Sequence, residues 1–294
     1  MSSVMGYPRI DLSDAVVLVT GGGRGIGQAT GAAFAERGAT VCLADIHLPA
    51  AEAAAGAIDA HAYHVDVTAR DSFADCVAAI VEQFGRIDVL VNNAGVMPLG
   101  GFLDEPDALS ATTLDVNVWG LIHGMRLVLP GMIERGCGHV VNIVSMAGKM
   151  PVPGLAVYNA SKFGALGLSL AVRAEFAATG VSVSAVLPSA VRTGLVSGVP
   201  LGRVLPVVDP EDVARAVVGS VRSRRAEIPV PGYLGLFDLV NALVPEPLFR
   251  LAGRLMDNAR ALTGVDHDAR HDYEQRVADQ AAVRAFRQAE SDRS

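Results

Sequence analysis

Short apolar runs alternate along the chain with longer segments of helical character. The first run covers residues 15–20 and leads into a helical segment at 26–37. Continuous apolar runs of this length, separated by helices, are typical of parallel strands that are buried on both faces. Further predicted strands cover residues 40–45, 62–65, 87–91, 140–145, 181–187 and 227–230. The pattern predicts an α/β fold: a single doubly wound Rossmann-type domain with a parallel seven-stranded sheet and helices on both faces.

The chain continues beyond the last predicted strand. We predict two short apolar helices at residues 233–244 and 248–256, separated by Pro245 and Pro247. The segment from Asp266 onward is highly charged, and we interpret it as a solvated helix or a partly disordered tail. Its larger apolar residues lie on one side of a helix at Tyr273, Val277 and Phe286. We assign residues 1–232 to the main domain and 233–294 to a helical extension that is not an independent domain.

Composition excludes several classes of protein. The chain has 294 residues, of which 51% are hydrophobic, and a net charge of −7 without a basic run, so nucleic acid is not expected as a partner. Cys42, Cys76 and Cys137 are dispersed and lack metal-ligand spacing, which indicates core residues of a reduced, cytoplasmic protein without a metal site. We identify no signal peptide, and no uninterrupted apolar run reaches the ~18 residues that a membrane span needs.

A glycine-rich turn follows the first predicted strand. Glycine permits a tight turn, and backbone N–H groups at the start of the next helix can then bind a pyrophosphate. A flexible loop is the alternative interpretation, because a glycine cluster alone has low specificity. The candidate residues of this turn are Gly21, Gly23, Arg24, Gly25, Ile26 and Gly27.

The second predicted strand ends on Asp45, about 20 residues after the glycines. A carboxylate at this position accepts hydrogen bonds from the ribose hydroxyls of an adenosine and repels a 2′-phosphate, which favours NAD over NADP. Arg24 is a cation in the glycine turn and favours NADP. We give Asp45 more weight because no arginine follows it in the next three residues.

Polar or small residues also follow the other predicted strands. Asp66 and Val67 lie where a side chain can reach an adenine edge, although an aspartate before a helix is often only its cap. Asn93, Ala94 and Gly95 suit a close approach of the backbone to a cofactor, or simply a turn. Asn117 lies in a predicted helix among apolar residues, where an asparagine indicates a buried polar role or a satisfied core amide.

A tyrosine and a lysine four residues apart form the strongest candidate for catalysis. Tyr158 and Lys162 share one face of a predicted helix, where an ammonium group can lower the pKa of a phenol toward working pH. Only two of the 24 basic residues are lysines, Lys149 and Lys162, which favours a specific role for a compact cation. Ser145 ends a predicted buried strand, so its hydroxyl would be held rigidly. Chance neighbours on a helix and a simple turn serine are the alternatives.

In order and spacing these residues resemble the short-chain dehydrogenase/reductase family, over roughly residues 16–230. The resemblance implies that Tyr158 is the general acid/base, that Ser145 binds the substrate oxygen, and that Lys162 lowers the pKa of the tyrosine and binds the nicotinamide ribose. It implies that Asn117 positions a water on the proton path. Cofactor contacts are implied at Pro188, Val191 and Thr193, although Ser189 replaces the glycine of the family's Pro-Gly pair.

The expected function is therefore an NAD(P)(H)-dependent oxidoreductase that interconverts a lipophilic secondary alcohol and a ketone. The apolar character of the loops at 97–99, 146–155 and 195–205 suggests the lipophilic substrate. The resemblance implies a homodimer or homotetramer. The alternatives are a non-catalytic dinucleotide-binding sensor and a membrane-peripheral interaction protein that uses the C-terminal helices; peripheral membrane contact is not favoured.

Overall fold

A seven-stranded parallel sheet forms the centre of the molecule, as predicted. The computed structural model describes residues 6–198, 206–237, 239 and 266–291. The sheet strands, in spatial order, are β3 (His61–His64), β2 (Thr40–Asp45), β1 (Val16–Thr20), β4 (Val89–Asn92), β5 (Gly138–Ile143), β6 (Val181–Pro188) and β9 (Glu227–Val230). The order reverses direction between β1 and β4, which is where such sheets open a crevice for ligands. A separate parallel pair is formed by β7 (Ala190–Val191) and β8 (Val207–Val208).

Helices cover both faces of the sheet. They are α1 (Gly25–Ala35), α2 (Leu48–Gly56), α3 (Arg70–Phe84), α4 (Asp107–Leu114), α5 (Gly120–Glu134), α6 (Ala156–Glu175), α7 (Pro210–Ser223) and α8 (His267–Ser291). A π-helical turn, Asp115–Trp119, joins α4 to α5. The predicted strand at 140–145 ends earlier than expected, at Ile143, so Ser145 lies beyond the strand and caps the short 3₁₀ helix Met146–Gly148.

Alternate residues of each strand point to opposite layers of the core. On β1, Leu18 packs with α3, α5 and α6, whereas Val17 and Val19 pack with α1, α2 and α7. Cys42 and Cys76 lie in the first of these layers, where burial raises the pKa of both thiols to about 12. These two cysteines are therefore core residues, as the sequence indicated.

The C-terminal segment differs from its prediction. Residues 267–291 form the helix α8 with a buried face, at Tyr273, Val277 and Ala281, and this helix packs against α4. The prediction of a helix is confirmed, whereas a disordered tail is wrong over residues 267–291, because the main domain covers the apolar face of this helix. The predicted helix at 248–256, most of the one at 233–244 and the side chain of Phe286 lie outside the described residues.

One continuous helical stretch, Asp107–Glu134, is long and apolar enough to cross a membrane by length and composition alone. Half of its apolar window is buried in the fold, and the core helices of globular domains pass the same test. We therefore interpret it as a core helix that packs on β4 and β5.

A buried polar network lies at the other end of the sheet. The ring of His139 is fully buried between the hydroxyls of Ser182 and Ser220, at 2.8 and 2.9 Å from its two nitrogens. Arg224 donates a hydrogen bond to Ser182 Oγ at 2.8 Å, and Arg173 binds the carbonyl oxygen of Arg224. Burial, reinforced by the charges of the two arginines, holds the pKa of His139 well below its usual value of 6.5.

We predict that His139 makes the fold sensitive to mild acid. The unfolded chain binds a proton at this histidine below about pH 6.5, whereas the folded chain does not, so stability is lost as the pH falls through that value. The free energy of unfolding should fall by up to ~1.4 kcal/mol per pH unit from this group. Urea unfolding at pH 7.5, 6.0 and 5.0 measures this change in the free energy of unfolding.

His139→Asn should be less stable at pH 7.5, but its free energy of unfolding should decrease less steeply between pH 6.5 and 5. His64→Asn, at an exposed position, is the matched control and should keep the slope of the parent protein. An unchanged slope in His139→Asn would contradict the assignment.

Candidate active site

A cavity of about 1150 Å³ opens where β1, β4, β5 and β6 end. Of the predicted site residues, all but Gly23, Gly27 and Asn117 line it. The carboxyl ends of neighbouring parallel strands share one edge of the sheet, so candidates that are far apart in sequence come together there. Their assigned roles stay predictions, whereas their common location is a property of the fold.

The glycine turn is shaped for close backbone contacts. Gly21 and Gly25 adopt φ values of 63° and 53°, in the region that favours glycine. A Cβ on Gly27 would lie 2.1 Å from the carbonyl oxygen of Gly21. The Asn93 amide donates hydrogen bonds to the carbonyl oxygens of Thr20 at 2.9 Å and Gly21 at 3.0 Å. Asn93 therefore holds the backbone of the glycine turn in place. The sequence did not specify this role.

Asp45 lies directly beside this turn. One carboxylate oxygen accepts a hydrogen bond from Gly23 N–H and the other from His47 N–H, both at 3.0 Å. Asp45, Arg24 and Gly21 all line the same cavity. The open glycine turn at a helix start, next to a fixed carboxylate, fits the pyrophosphate and ribose of a dinucleotide.

Asp66 is not the cap of the following helix, because the N-cap of α3 is Ala69, and the Asp66 carboxylate instead forms a local turn. One carboxylate oxygen of Asp66 accepts hydrogen bonds from the backbone N–H of Thr68 at 3.0 Å and from its hydroxyl at 2.6 Å. Asp66 and Val67 nevertheless both line the cavity. Ala94 and Gly95 line it too, immediately after β4.

Asn117 lies in the π-helical turn and is fully buried. Its amide nitrogen donates to Val96 O at 2.9 Å and to Ser161 Oγ at 3.0 Å, and its amide oxygen accepts from Val96 N–H at 2.9 Å. Both N–H groups of this amide are therefore used within the protein. Asn117 does not line the cavity, and its side chain fixes the backbone of Val96 in the loop after β4.

Ser145, Tyr158 and Lys162 all line the cavity. Lys162 Nζ is 5.7 Å from the centroid of the Tyr158 ring and donates to Ile143 O at 3.1 Å. Desolvation lowers the pKa of Lys162 to about 8. Burial raises the pKa of Tyr158 above its usual value, while a hydrogen bond with Ser145 lowers it.

The expectation that Lys162 lowers the pKa of Tyr158 is not met in this structure, because desolvation of the buried phenol outweighs the neighbouring groups. The other lysine, Lys149, forms an ion pair with Glu227 of β9.

The predicted cofactor contacts after β6 border the same cavity. Pro188 is the last residue of β6, and Val191 lies in the small pair of strands. A Cβ on Gly25 would be 3.1 Å from the Thr193 side chain, so Thr193 faces the glycine turn. Ser189, which replaces a glycine of the family pattern, donates a hydrogen bond to Pro206 O at 2.6 Å. The serine therefore anchors the following loop.

The sequence did not identify the part of the cavity formed by α8. Tyr273 and Val277 line this wall, and Arg276, Asp279, Gln280 and Arg284 line it as well. The repeat of Tyr273, Val277 and Ala281 at intervals of four is the pattern that would have predicted a buried face. Among the residues that the structure describes, no group of histidine, cysteine or carboxylate side chains is arranged to hold a metal.

The fold and this site define a nucleotide-binding α/β protein with a phenol and an ammonium at the ligand-binding edge of its sheet. A family model described as short chain dehydrogenase matches residues 15–201. The chain belongs to the short-chain dehydrogenase/reductase family of oxidoreductases.

Curated relatives include 17-beta-hydroxysteroid dehydrogenase 13 of Rattus norvegicus, which is 31% identical over 258 residues, 85% of each chain. Epidermal retinol dehydrogenase 2 of Mus musculus is 31% identical over 253 residues, 82% of each chain. Among solved structures, a short chain dehydrogenase/reductase from Burkholderia phymatum in complex with NAD is 25% identical, with a TM-score of 0.72. The match covers 79% of this chain and 93% of that one.

We predict that Gly27→Ala disrupts the turn, since the new methyl group cannot fit beside Gly21 O. NADH binding, measured by fluorescence titration, should weaken about tenfold or more, as expected when backbone hydrogen bonds are misaligned. Gly56→Ala is the matched control, because nothing lies within 4 Å of its Cβ position. Equal NADH affinity in the two variants would contradict this geometry.

Proposed function

We propose that the chain is an NAD-preferring dehydrogenase or reductase that interconverts a lipophilic secondary alcohol and a ketone, with Tyr158 as the general acid/base. The observation that carries the proposal is the location of Ser145, Tyr158 and Lys162 on one cavity with the glycine turn. A site that only senses a dinucleotide needs no buried phenol beside a buried ammonium.

Proton transfer is the task of Tyr158. Its raised pKa keeps the phenol protonated at neutral pH, so it is ready to donate a proton to a ketone oxygen. Ser145 orients that oxygen and stabilises the phenolate left after donation. Alcohol oxidation runs the same transfer in reverse, with the phenolate of Tyr158 as the group that accepts the proton. Asn117 acts indirectly, by holding the Val96 backbone.

A nicotinamide dinucleotide is the cofactor that the family and its NAD-bound structural relative support. When bound, its nicotinamide ring exchanges a hydride with the substrate carbon. The glycine turn and the start of α1 would hold the pyrophosphate, and Asp45 would hold the adenosine ribose. Val67 would border the adenine, Lys162 the nicotinamide ribose, and Thr193 the carboxamide.

The substrate side of the cavity is apolar. Tyr158 packs in a cluster with Met97, Ala147 and Leu155, and Leu99, Val152, Leu195 and Val196 extend this cluster. An apolar wall around one acid/base suits a lipophilic alcohol or ketone. Relatives named for hydroxysteroids and retinol are consistent with this class of substrate.

We further propose a cytoplasmic homodimer or homotetramer. The exposed side chains of Trp119 and Phe163, on the π-turn and α6, offer an apolar surface for such contact. Membrane-peripheral binding is the second candidate, favoured by the exposed Tyr233, Leu236 and Leu239 at the start of the extension.

Tyr158→Phe tests the proton-transfer role. Turnover of secondary alcohols by NAD should fall by about 10³, because general acid–base catalysis contributes on the order of 10² to 10⁴ in rate. NADH binding should change little. Absorbance of NADH during a screen of hydroxysteroids, aliphatic alcohols and diketones provides the assay.

Tyr233→Phe is the matched control, since that phenol is 62% exposed and far from the described site residues in sequence. Undiminished turnover by Tyr158→Phe would refute the assignment, whereas normal NADH binding without turnover of any probe by the parent protein would favour the sensor.

Asp45 should set the choice of cofactor. We expect kcat/KM with NAD to exceed that with NADP by about tenfold or more, because a carboxylate opposes a 2′-phosphate. Asp45→Asn keeps the shape and removes the charge, and should narrow this ratio. A preference of the parent protein for NADP would show that Arg24 outweighs Asp45.

A further inference from the structure

Helix α8 brings a second phenol into the cavity that contains Tyr158. Tyr273 lines this cavity, and its side chain is more than nine-tenths buried. A negative charge on the Tyr273 oxygen would raise the pKa of Tyr158. The two phenols are therefore close enough to interact electrostatically.

The hydrogen bonds of Tyr273 leave its proton available. The phenol oxygen accepts a hydrogen bond from the Met97 backbone N–H at 2.6 Å. Within residues 6–198, 206–237 and 266–291, no group accepts the proton of the Tyr273 hydroxyl. A buried donor without an acceptor is unfavourable, so such a group in a cavity indicates an acceptor on the molecule that fills it.

The protein holds this phenol in one position. Arg270, one helical turn earlier, is fully buried, and its guanidinium lies 4.7 Å from the centroid of the Tyr273 ring. Arg270 also donates hydrogen bonds to the carbonyl oxygens of Met97, Leu195 and Ser197. It thereby joins α8 to two loops that border the cavity. A buried arginine is costly unless its charge is paired, and Nε of Arg270 lies 3.2 Å from a carboxylate oxygen of Glu274 in an ion pair. Arg270 therefore holds α8 and the two loops in a fixed arrangement around Tyr273.

Burial raises the pKa of Tyr273 to about 12. The phenol therefore remains a donor over the working range of pH. Met97, Leu195 and Val277 form the apolar part of the wall, and this donor and the Ser145–Tyr158 pair are two separate polar anchors for a substrate that contacts it.

We propose that Tyr273 is a specificity-determining residue that donates a hydrogen bond to a second oxygen of the substrate. The substrate class is then a lipophilic ketone or alcohol with a second oxygen acceptor close to the reacting carbon. Arg270 is a positioning residue that acts through Tyr273. This inference rests on the proposed function and deepens it.

The test compares two probes, decan-2-one and 3-hydroxydecan-2-one, reduced with NADH. The parent protein should use the hydroxyketone with a higher kcat/KM, and Tyr273→Phe should lower that preference about fivefold. Fivefold corresponds to about 1 kcal/mol, the size of one hydrogen bond between neutral groups. The two ketones differ in intrinsic reactivity. Comparing the ratio of their kcat/KM values between the parent protein and Tyr273→Phe cancels this difference.

Tyr233→Phe, at an exposed phenol, is the matched control and should leave the ratio unchanged. Tyr273→Leu is a second variant, and melting temperatures confirm that each variant folds. An equal loss with both probes, or an unchanged ratio in Tyr273→Phe, would overturn the proposal. Failure of the parent protein to reduce either ketone while binding NADH would overturn it too, whereas failure to bind NADH would contradict the proposed function itself.

Discussion

The architecture of the site depends on satisfying backbone groups just past the ends of β1 and β4. Beyond a strand's last ladder bond, N–H and C=O groups need other partners. Thr20 Oγ accepts hydrogen bonds from the N–H groups of Asn93 and Ala94, and Asn93 returns two bonds to the carbonyl oxygens of Thr20 and Gly21. Asn117 does the same for Val96. Side chains thus make the cavity edge rigid before any ligand binds.

Burial also sets the pKa values of the two ionisable groups in the cavity. Lys162 is 5% exposed and retains one carbonyl contact with the end of β5, so its pKa is lowered toward working pH. Tyr158 is buried beside it, and its pKa is raised. Desolvation acts on both groups in the direction of the uncharged form. The pair therefore favours a protonated phenol, which is the form that reduction of a ketone requires.

What the sequence could predict follows from how local each interaction is. Strands β1, β4, β5 and β6 were predictable because each is a fully buried and largely apolar run, and the glycine turn follows directly from β1. The role of Asn117 was not predictable, since its partner Val96 is 21 residues away. The role of Tyr273 was still less accessible, because Met97 is 176 residues distant and the charged segment around it suggests solvent.

The C-terminal extension changes which molecules the chemistry of the sheet edge can act on. Ser145, Tyr158 and Lys162 belong to the sheet edge and would perform the same proton transfer beneath an open cleft. Helix α8 covers part of that cleft, and its buried face brings Tyr273 and Val277 to the cavity wall. The side chains that α8 adds to the wall limit the shape and polarity of the molecules that fit. The sheet edge thus supplies the reactivity of the proposed enzyme, and the C-terminal helix supplies its selectivity.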